Sequence, residues 1–119
     1  MMYDKLSKKN CLITGATGGL GREIAKNLIQ KNCNLFLTST NEKKLKLLKK
    51  ELLGKKENNS KIFVCHSDLC KIDQINNLIK KIKKNMNSID ILINCAGKFS
   101  SKSINDLTLK EFENTININ

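Results

Sequence analysis

The chain reads Thr14-Gly15-Ala16-Thr17-Gly18-Gly19-Leu20-Gly21 directly after an apolar run, Cys11-Leu12-Ile13, and directly before an amphipathic helical pattern. Glycine permits a sharp turn out of a strand, and it lets the backbone approach a ligand that a Cβ would hold off. The helix that follows directs unpaired N–H groups and the positive end of its dipole at a phosphate. The alternative is an ordinary glycine-rich turn. Because this glycine loop (residues 14–21) occupies the first strand–helix junction, it favours a dinucleotide-binding site.

Apolar runs and helical patterns alternate through the rest of the chain. The apolar runs predict strands at about residues 10–14, 34–38, 61–65 and 89–93. Helical spacing predicts helices at about 19–31, 41–53 and 72–86, with Asn41 as the N-cap of the second. Thr108 with Glu111 makes a capping box for a last helix. The helical residues expected to face the core are Leu20, Ile24, Leu28, Ile29, Leu45, Leu48, Leu52, Ile75, Leu78, Ile79, Ile82 and Met86.

This alternation predicts one α/β domain over residues 1–119 with a Rossmann-type, doubly wound parallel sheet. The strand order of such a sheet begins 3-2-1-4, and we expect this chain to be truncated after the fourth strand. That strand is almost wholly apolar, as expected of a parallel strand covered on both faces.

Composition excludes several function classes. The formal net charge is +11, but 21 of the 22 basic residues are lysines spread over predicted helices and loops, and only 4% of residues are aromatic. A nucleic-acid surface would cluster its charge, favour arginine and interleave aromatic side chains, so we predict no nucleic-acid partner. The sequence has no apolar run of membrane-spanning length and does not begin with an apolar segment. It therefore predicts a cytoplasmic protein with no membrane partner.

The five cysteines have no paired spacing, and two of them, Cys11 and Cys65, fall in predicted strands. Cysteine in such positions behaves as a small hydrophobic residue, so no disulfide framework is implied. A cluster of Cys65, His66, Asp68 and Cys70 contains metal-ligand types, but mixed polar residues at a strand end explain it better. We predict no metal site.

Three further motifs follow the glycine loop in a fixed order. Asp68-Leu69 comes after the third predicted strand, Asn94-Cys95-Ala96-Gly97 after the fourth, and Asn119 ends the last helical pattern. Together with the loop, which reads TGxxxGxG, they resemble the amino-terminal half of a short-chain dehydrogenase/reductase. The loop also satisfies the TGxxGxxG pattern of the family's longer, epimerase-like branch. The tetrapeptide at 94–97 resembles the NNAG motif of the shorter branch, with cysteine at the second asparagine.

The resemblance implies a role for each matching residue. It places Asp68 against an adenine ring and Asn119 at the asparagine of the family's catalytic tetrad. The residues implied in cofactor binding are Thr14, Gly15, Thr17, Gly18, Gly19, Leu20, Gly21, Asp68, Leu69, Asn94, Ala96 and Gly97. The implied activity is hydride transfer between a nicotinamide dinucleotide and a small carbonyl or alcohol substrate, with 3-oxoacyl-carrier-protein reductases as the members most resembled. The full-length parent is expected to be a homo-oligomer.

The family's catalytic serine and YxxxK motif have no counterpart in these residues, where Tyr3 is the only tyrosine. We therefore expect the chain to hold the cofactor-binding half and to be inactive alone. The alternative function is a dinucleotide-binding module, or a regulatory relative, without catalysis.

The end of the second strand predicts the cofactor. An NAD enzyme of this type places a carboxylate near residue 39 for the ribose hydroxyls, whereas this chain has Ser39 and Thr40, followed by Lys43 and Lys44. Hydroxyl and ammonium groups can donate hydrogen bonds to a 2′-phosphate. The sequence thus favours NADP(H) over NAD(H), although the arginine common in NADP-specific relatives is absent.

Overall fold

The computed structural model of the chain describes residues 5–97 and 102–119. Within these residues, strands and helices alternate as β1 (Asn10–Thr14), α1 (Gly19–Gln30), β2 (Asn34–Ser39), α2 (Glu42–Lys55), β3 (Ile62–His66), α3 (Ile72–Asn85), β4 (Ile91–Asn94) and α4 (Leu109–Ile118). Every strand pair is parallel, and the order is β3-β2-β1-β4. The predicted doubly wound α/β sheet and its strand order are confirmed.

The sheet is covered on both faces at its centre. Leu35, Phe36 and Leu37 of β2 are each at most 1% exposed, although neighbouring side chains of a strand point to opposite faces. Helices α1 and α2 contribute Ala25, Ile29, Leu45, Leu48 and Leu52 to one core, and α3 contributes Leu78 to the other. Burial on both sides makes β2 the middle of the hydrophobic core.

Some core assignments were wrong. Leu20 is 69% exposed because it lies in the first turn of α1, where Gly21 instead faces the core. Ile79 is 42% exposed, beside buried Leu78. Leu92 of β4 is 56% exposed, so the fourth strand is not covered on both faces by the described part of the chain. Within residues 5–97 and 102–119 this strand pairs with β1 alone.

The predicted helix caps are confirmed. The Asn41 side chain accepts a hydrogen bond from the Lys44 N–H at 2.9 Å at the start of α2. At the start of α4, the Thr108 hydroxyl accepts the Glu111 N–H, and the Glu111 carboxylate accepts the Thr108 N–H. Such caps satisfy N–H groups that a helix leaves unpaired in its first turn.

An ion-pair cluster joins the outer sides of α1 and α2. The Glu51 carboxylate on α2 lies 2.9 Å from the Arg22 guanidinium and 3.2 Å from the Lys26 ammonium, both on α1, and 3.3 Å from the Lys55 ammonium. Hydrogen bonds from Arg22, and then from Lys26, lower the pKa of Glu51 to about 2. The three cations stabilise the charged carboxylate, and the pairs with Arg22 and Lys26 connect the two helices that cover one face of the sheet.

We expect Glu51→Gln to lower stability at neutral pH. The folded pKa, about 2, lies below the unfolded value, so the contribution of Glu51 is complete above the unfolded pKa and is lost as the pH falls through the folded one. Urea unfolding should therefore show a difference from wild type that shrinks as the pH falls from about 5 to about 2. Glu57→Gln, at an exposed carboxylate, is the matched control. A pH-independent difference would contradict this linkage.

Candidate functional site

A cleft of about 490 Å³ opens at the carboxyl ends of the strands. Its walls come from the segments that follow each of the four strands and from the inner side of α4. The predicted cofactor residues that line it are Gly15, Thr17, Gly18, Ser39, Thr40, Asp68, Leu69, Ala96 and Gly97. The carboxyl edge of a doubly wound sheet is where ligands bind in this class of fold.

The glycines of the loop have different structural roles. Gly15 has a φ of +59°, and a Cβ there would lie 2.6 Å from backbone atoms of Cys95 and Ala96. A Cβ at Gly21 would lie 2.5 Å from the Gly15 carbonyl oxygen. Gly19, in contrast, has no atom within 4 Å of its Cβ position. Gly15 and Gly21 are required by packing, whereas Gly19 leaves open space in front of the helix.

The N-terminus of α1 has no internal cap. Gly18, its N-cap residue, makes no side-chain hydrogen bond, and the first turn contains no acidic residue. This differs from α2 and α4, which Asn41 and Thr108 cap. The N–H groups of the first turn of α1, and the positive end of its dipole, are available to an anion beside the open space at Gly19.

Hydroxyl groups meet between the glycine loop and the end of β2. The Oγ1 of Thr17 and the Oγ of Ser39 are 2.7 Å apart, and the Ser39 Oγ also accepts the Asn41 N–H at 3.1 Å. Ser39 is only 6% exposed, whereas Thr40 is exposed. Ser39 therefore holds the turn together, and Thr40 offers the freer hydroxyl to the cleft. Lys44 lines a smaller neighbouring pocket that shares Thr17 with the cleft.

Hydrogen bonds fix the turn that follows β3. The Asp68 carboxylate accepts the Cys70 N–H at 2.9 Å, and the Asp68 carbonyl accepts the Lys71 N–H at 3.1 Å. The side chain of Gln74 on α3 accepts the Asp68 N–H at 2.7 Å. These bonds hold residues 68–70 against the cleft as one wall.

The opposite wall is formed where β1 and β4 end together. Asn94 pairs in register with Thr14, whose carbonyl accepts the Cys95 N–H and whose hydroxyl accepts the Ala96 N–H, each at 3.2 Å. Thr14 is 6% exposed and does not line the cleft. Its role is to hold the segment after β4 in place.

Asn119 reaches the same wall. A Cβ on Gly97 would lie 2.6 Å from the Asn119 Oδ1, so the two predicted site residues meet at the end of β4. Five predicted site residues besides Thr14 do not line the cleft: Gly19, Leu20, Gly21, Asn94 and Asn119.

Six lining residues were not predicted: Thr38, Ser67, Cys70, Cys95, Asn114 and Ile118. Thr38 and Ser67 belong to strand ends already implicated by their neighbours, so position alone could have indicated them. Asn114 and Ile118 are four residues apart and share one face of α4. That spacing was visible in the sequence, but nothing showed which way the helix faces.

Two further observations concern the described residues alone. No group of three or more His, Cys, Asp or Glu side chains in residues 5–97 and 102–119 is placed to hold a metal ion. In the same ranges, every helix is too short or too polar to cross a membrane.

The sequence model of the family described as short chain dehydrogenase matches residues 9–119. A 3-oxoacyl-[acyl-carrier-protein] reductase from Buchnera aphidicola (subspecies Schizaphis graminum) is 41% identical over 115 residues, covering 97% of this chain and 45% of the relative. The 3-ketodihydrosphingosine reductase of Bos taurus is 32% identical and matches 91% of this chain and 33% of the relative.

Solved structures share the fold. A short chain dehydrogenase from Bacillus anthracis superposes with a TM-score of 0.85 at 26% identity, covering 95% of this chain and 44% of that one. L-sorbose reductase from Gluconobacter frateurii, solved with NADPH and L-sorbose, gives a TM-score of 0.87 at 19% identity over 95% of this chain and 42% of that one.

The chain belongs to the short chain dehydrogenase family, a family of oxidoreductases that use nicotinamide dinucleotides. It resembles 3-oxoacyl-carrier-protein reductases in particular, as the sequence motifs indicated. It spans less than half the length of these relatives, at 45% and 42% of two of the reductases.

We expect Gly15→Ala to destabilise the fold and Gly18→Ala to do so far less. At Gly15 the methyl group would meet backbone atoms at 2.6 Å and the residue would keep a left-handed φ, which together cost roughly 2–4 kcal/mol. At Gly18 the nearest atom is 3.4 Å away and φ is −72°. Chemical denaturation of the two variants measures the contrast; equal losses would contradict the packing role of Gly15.

Proposed function

We propose that this chain is the cofactor-binding part, an NAD(P)-binding Rossmann domain, of an NADP(H)-dependent reductase. The proposed reaction is hydride transfer between nicotinamide and a carbonyl or alcohol group, with a 3-oxoacyl thioester on a carrier protein as the substrate class. One observation carries the dinucleotide part of the proposal: α1 begins without a side-chain cap, beside a glycine with open space, at the carboxyl edge of a parallel sheet. The substrate class is supported by the 41% identical reductase.

The residues present fit a dinucleotide. The first turn of α1 would bind the pyrophosphate, because its N–H groups have no side-chain cap and Gly19 in that turn leaves open space. Asp68 and Leu69 would hold the adenine on one side and Ala96 with Gly97 on the other, since these pairs line facing parts of one cleft. When bound, the nicotinamide would supply or accept the hydride. Leu20, exposed at the mouth of the loop, would contact the cofactor as it leaves the cleft.

Asn119 is proposed as the catalytic asparagine. Its side chain touches Gly97 at the cleft wall, so it is held close to where the cofactor would pass. The family's serine, tyrosine and lysine are not among these 119 residues, and we propose that the chain alone does not catalyse the reaction. The second candidate is a dinucleotide-binding module without catalysis. An assay of NADPH oxidation with a 3-oxoacyl thioester, on the full gene product, separates the two.

The remaining proposals rest on the composition of the chain and, for the oligomer, on the family. We propose a cytoplasmic protein that has no nucleic-acid or membrane partner and whose full-length form is a homo-oligomer. Size-exclusion chromatography with light scattering on the full gene product tests the oligomer, and retention on immobilised DNA at physiological salt would contradict the first exclusion.

The NADP(H) preference is argued from three groups at the end of β2. Thr17 and Thr40 line the cleft with hydroxyl groups, and Lys44 lies in the adjoining pocket. No carboxylate lines the cleft itself at this end, since Asp68 belongs to the β3 wall. The Glu51 carboxylate lines the adjoining pocket, where it is paired with Arg22 and Lys26. A charge-assisted hydrogen bond to a 2′-phosphate contributes roughly 1.5–3 kcal/mol, and one such bond corresponds to about a tenfold difference in affinity.

Gly19→Val should abolish measurable NADPH binding and leave the far-ultraviolet circular dichroism spectrum near that of wild type. The added side chain enters space that no protein atom occupies, so it blocks the pyrophosphate and not the fold. Gly54→Val is the matched control, because Gly54 lies in α2 and is equally open around its Cβ position. Unchanged affinity of the Gly19 variant would remove the phosphate site from the proposal.

NADPH should bind at least about tenfold tighter than NADH, and salt should weaken that preference. Ser39→Asp should reverse it, because a carboxylate there repels a 2′-phosphate and accepts ribose hydroxyls while still accepting the Asn41 N–H. Ser39→Asn has the same shape without the charge and should not reverse the preference. Calorimetric titrations of the wild type and of both variants measure their affinities for NADPH and NADH. Identical curves for the two cofactors with the wild type at low salt would contradict the assignment.

A further inference from the structure

Two cysteines line the cleft, and neither has a role in the proposed reaction. Cys70 is exposed and follows β3, whereas Cys95 is partly exposed and follows β4. These are the two outer strands of the described sheet, so the thiols lie on different walls of one cleft. Neither sulfur makes a hydrogen bond within residues 5–97 and 102–119.

The other three cysteines are protected by the fold. Cys11, Cys33 and Cys65 are buried, and none of them lines the cleft. Burial raises the pKa of Cys11 to about 12, and it also raises the pKa of Cys33. Because the thiolate is the reactive form, Cys11 and Cys33 are poor nucleophiles at neutral pH. The chain thus has three buried cysteines and two that line the cleft.

Both cleft thiols are carried by backbone that cannot easily move away. The Cys70 N–H is bound to the Asp68 carboxylate, and the same turn is bound to Gln74 on α3. The Cys95 N–H is bound to the Thr14 carbonyl, and the Cys95 carbonyl packs against Gly15. A group added to either sulfur therefore stays at the wall that carries it, next to the residues proposed to hold the adenine.

We propose that Cys70 and Cys95 are modification sites for small disulfides, and that a bound dinucleotide and this modification exclude each other. The proposal rests on the proposed function of the cleft. In each reaction the cysteine thiolate attacks one sulfur of the disulfide. A new sulfur–sulfur bond forms, the reagent's bond breaks, and the released thiolate takes up the proton that the cysteine lost. The cysteine is oxidised, half of the reagent is reduced, and a free thiol reverses the exchange.

The test uses the unmodified chain, oxidised glutathione as the reagent and NADP⁺ as the ligand. Intact-mass measurement should show up to two adducts, and peptide mapping should place them on Cys70 and Cys95. Free NADP⁺ at about ten times its Kd leaves about one cleft in eleven empty, so it should slow both additions about tenfold. The modified chain should lose NADP⁺ binding and regain it after treatment with dithiothreitol. Cys70→Ser and Cys95→Ser should each accept one adduct fewer.

Each contrary outcome has a distinct meaning. If the unmodified chain does not bind NADP⁺, both the proposed function and the mutual exclusion fail. If NADP⁺ binds but neither slows addition nor is displaced by it, only the thiol proposal fails. Adducts mainly on Cys11, Cys33 or Cys65 would overturn it as well, as would a mass loss of two hydrogens that maps to a Cys70–Cys95 disulfide.

Discussion

The structure depends on the contact between the glycine loop and the end of β4. Gly15 lies so close to the backbone of Cys95 and Ala96 that a Cβ would meet it at 2.6 Å. The Thr14 carbonyl and hydroxyl bind the next two N–H groups of the same segment. These contacts set the distance between the turn that begins α1 and the segment that follows β4. Because the backbone of the sheet holds both segments, this side of the cleft has a fixed shape.

The opposite wall is held by hydrogen bonds from side chains. Side chains cap and brace the turn after β3, where Gln74 and Asp68 bind backbone N–H groups. Between the walls, Ser39 binds Thr17 and the Asn41 N–H, which connects the loop to the start of α2. The Glu51 cluster ties α2 to α1 from the outside. The cleft is therefore held by backbone packing on one side and by polar side chains on the other.

The sequence predicted the order of elements well, and nine of its predicted site residues line one cleft, because apolar periodicity and glycine chemistry are local. Both predicted caps, at Asn41 and Thr108, are present for the same reason. Exposure was predicted less well: Leu20, Ile79 and Leu92 fit the apolar patterns and yet are exposed, since burial depends on which elements lie opposite. The supporting role of Ser39 and the inward side of α4 both depend on contacts between distant segments, which no local pattern encodes.

Helix α4 makes few contacts with the rest of the described chain. None of its residues is buried. Glu111 pairs with the Lys102 ammonium ahead of the helix, and on the inner side Asn114 and Ile118 line the cleft while the Asn119 side chain lies against Gly97. A molecule that fills the cleft would touch these same residues and add contacts that the empty cleft lacks. Its binding free energy would then be shared with the ordering of α4, so that occupancy of the cleft and local stability of the helix rise together. The stability of α4 would in this way depend on whether the cleft holds its ligand.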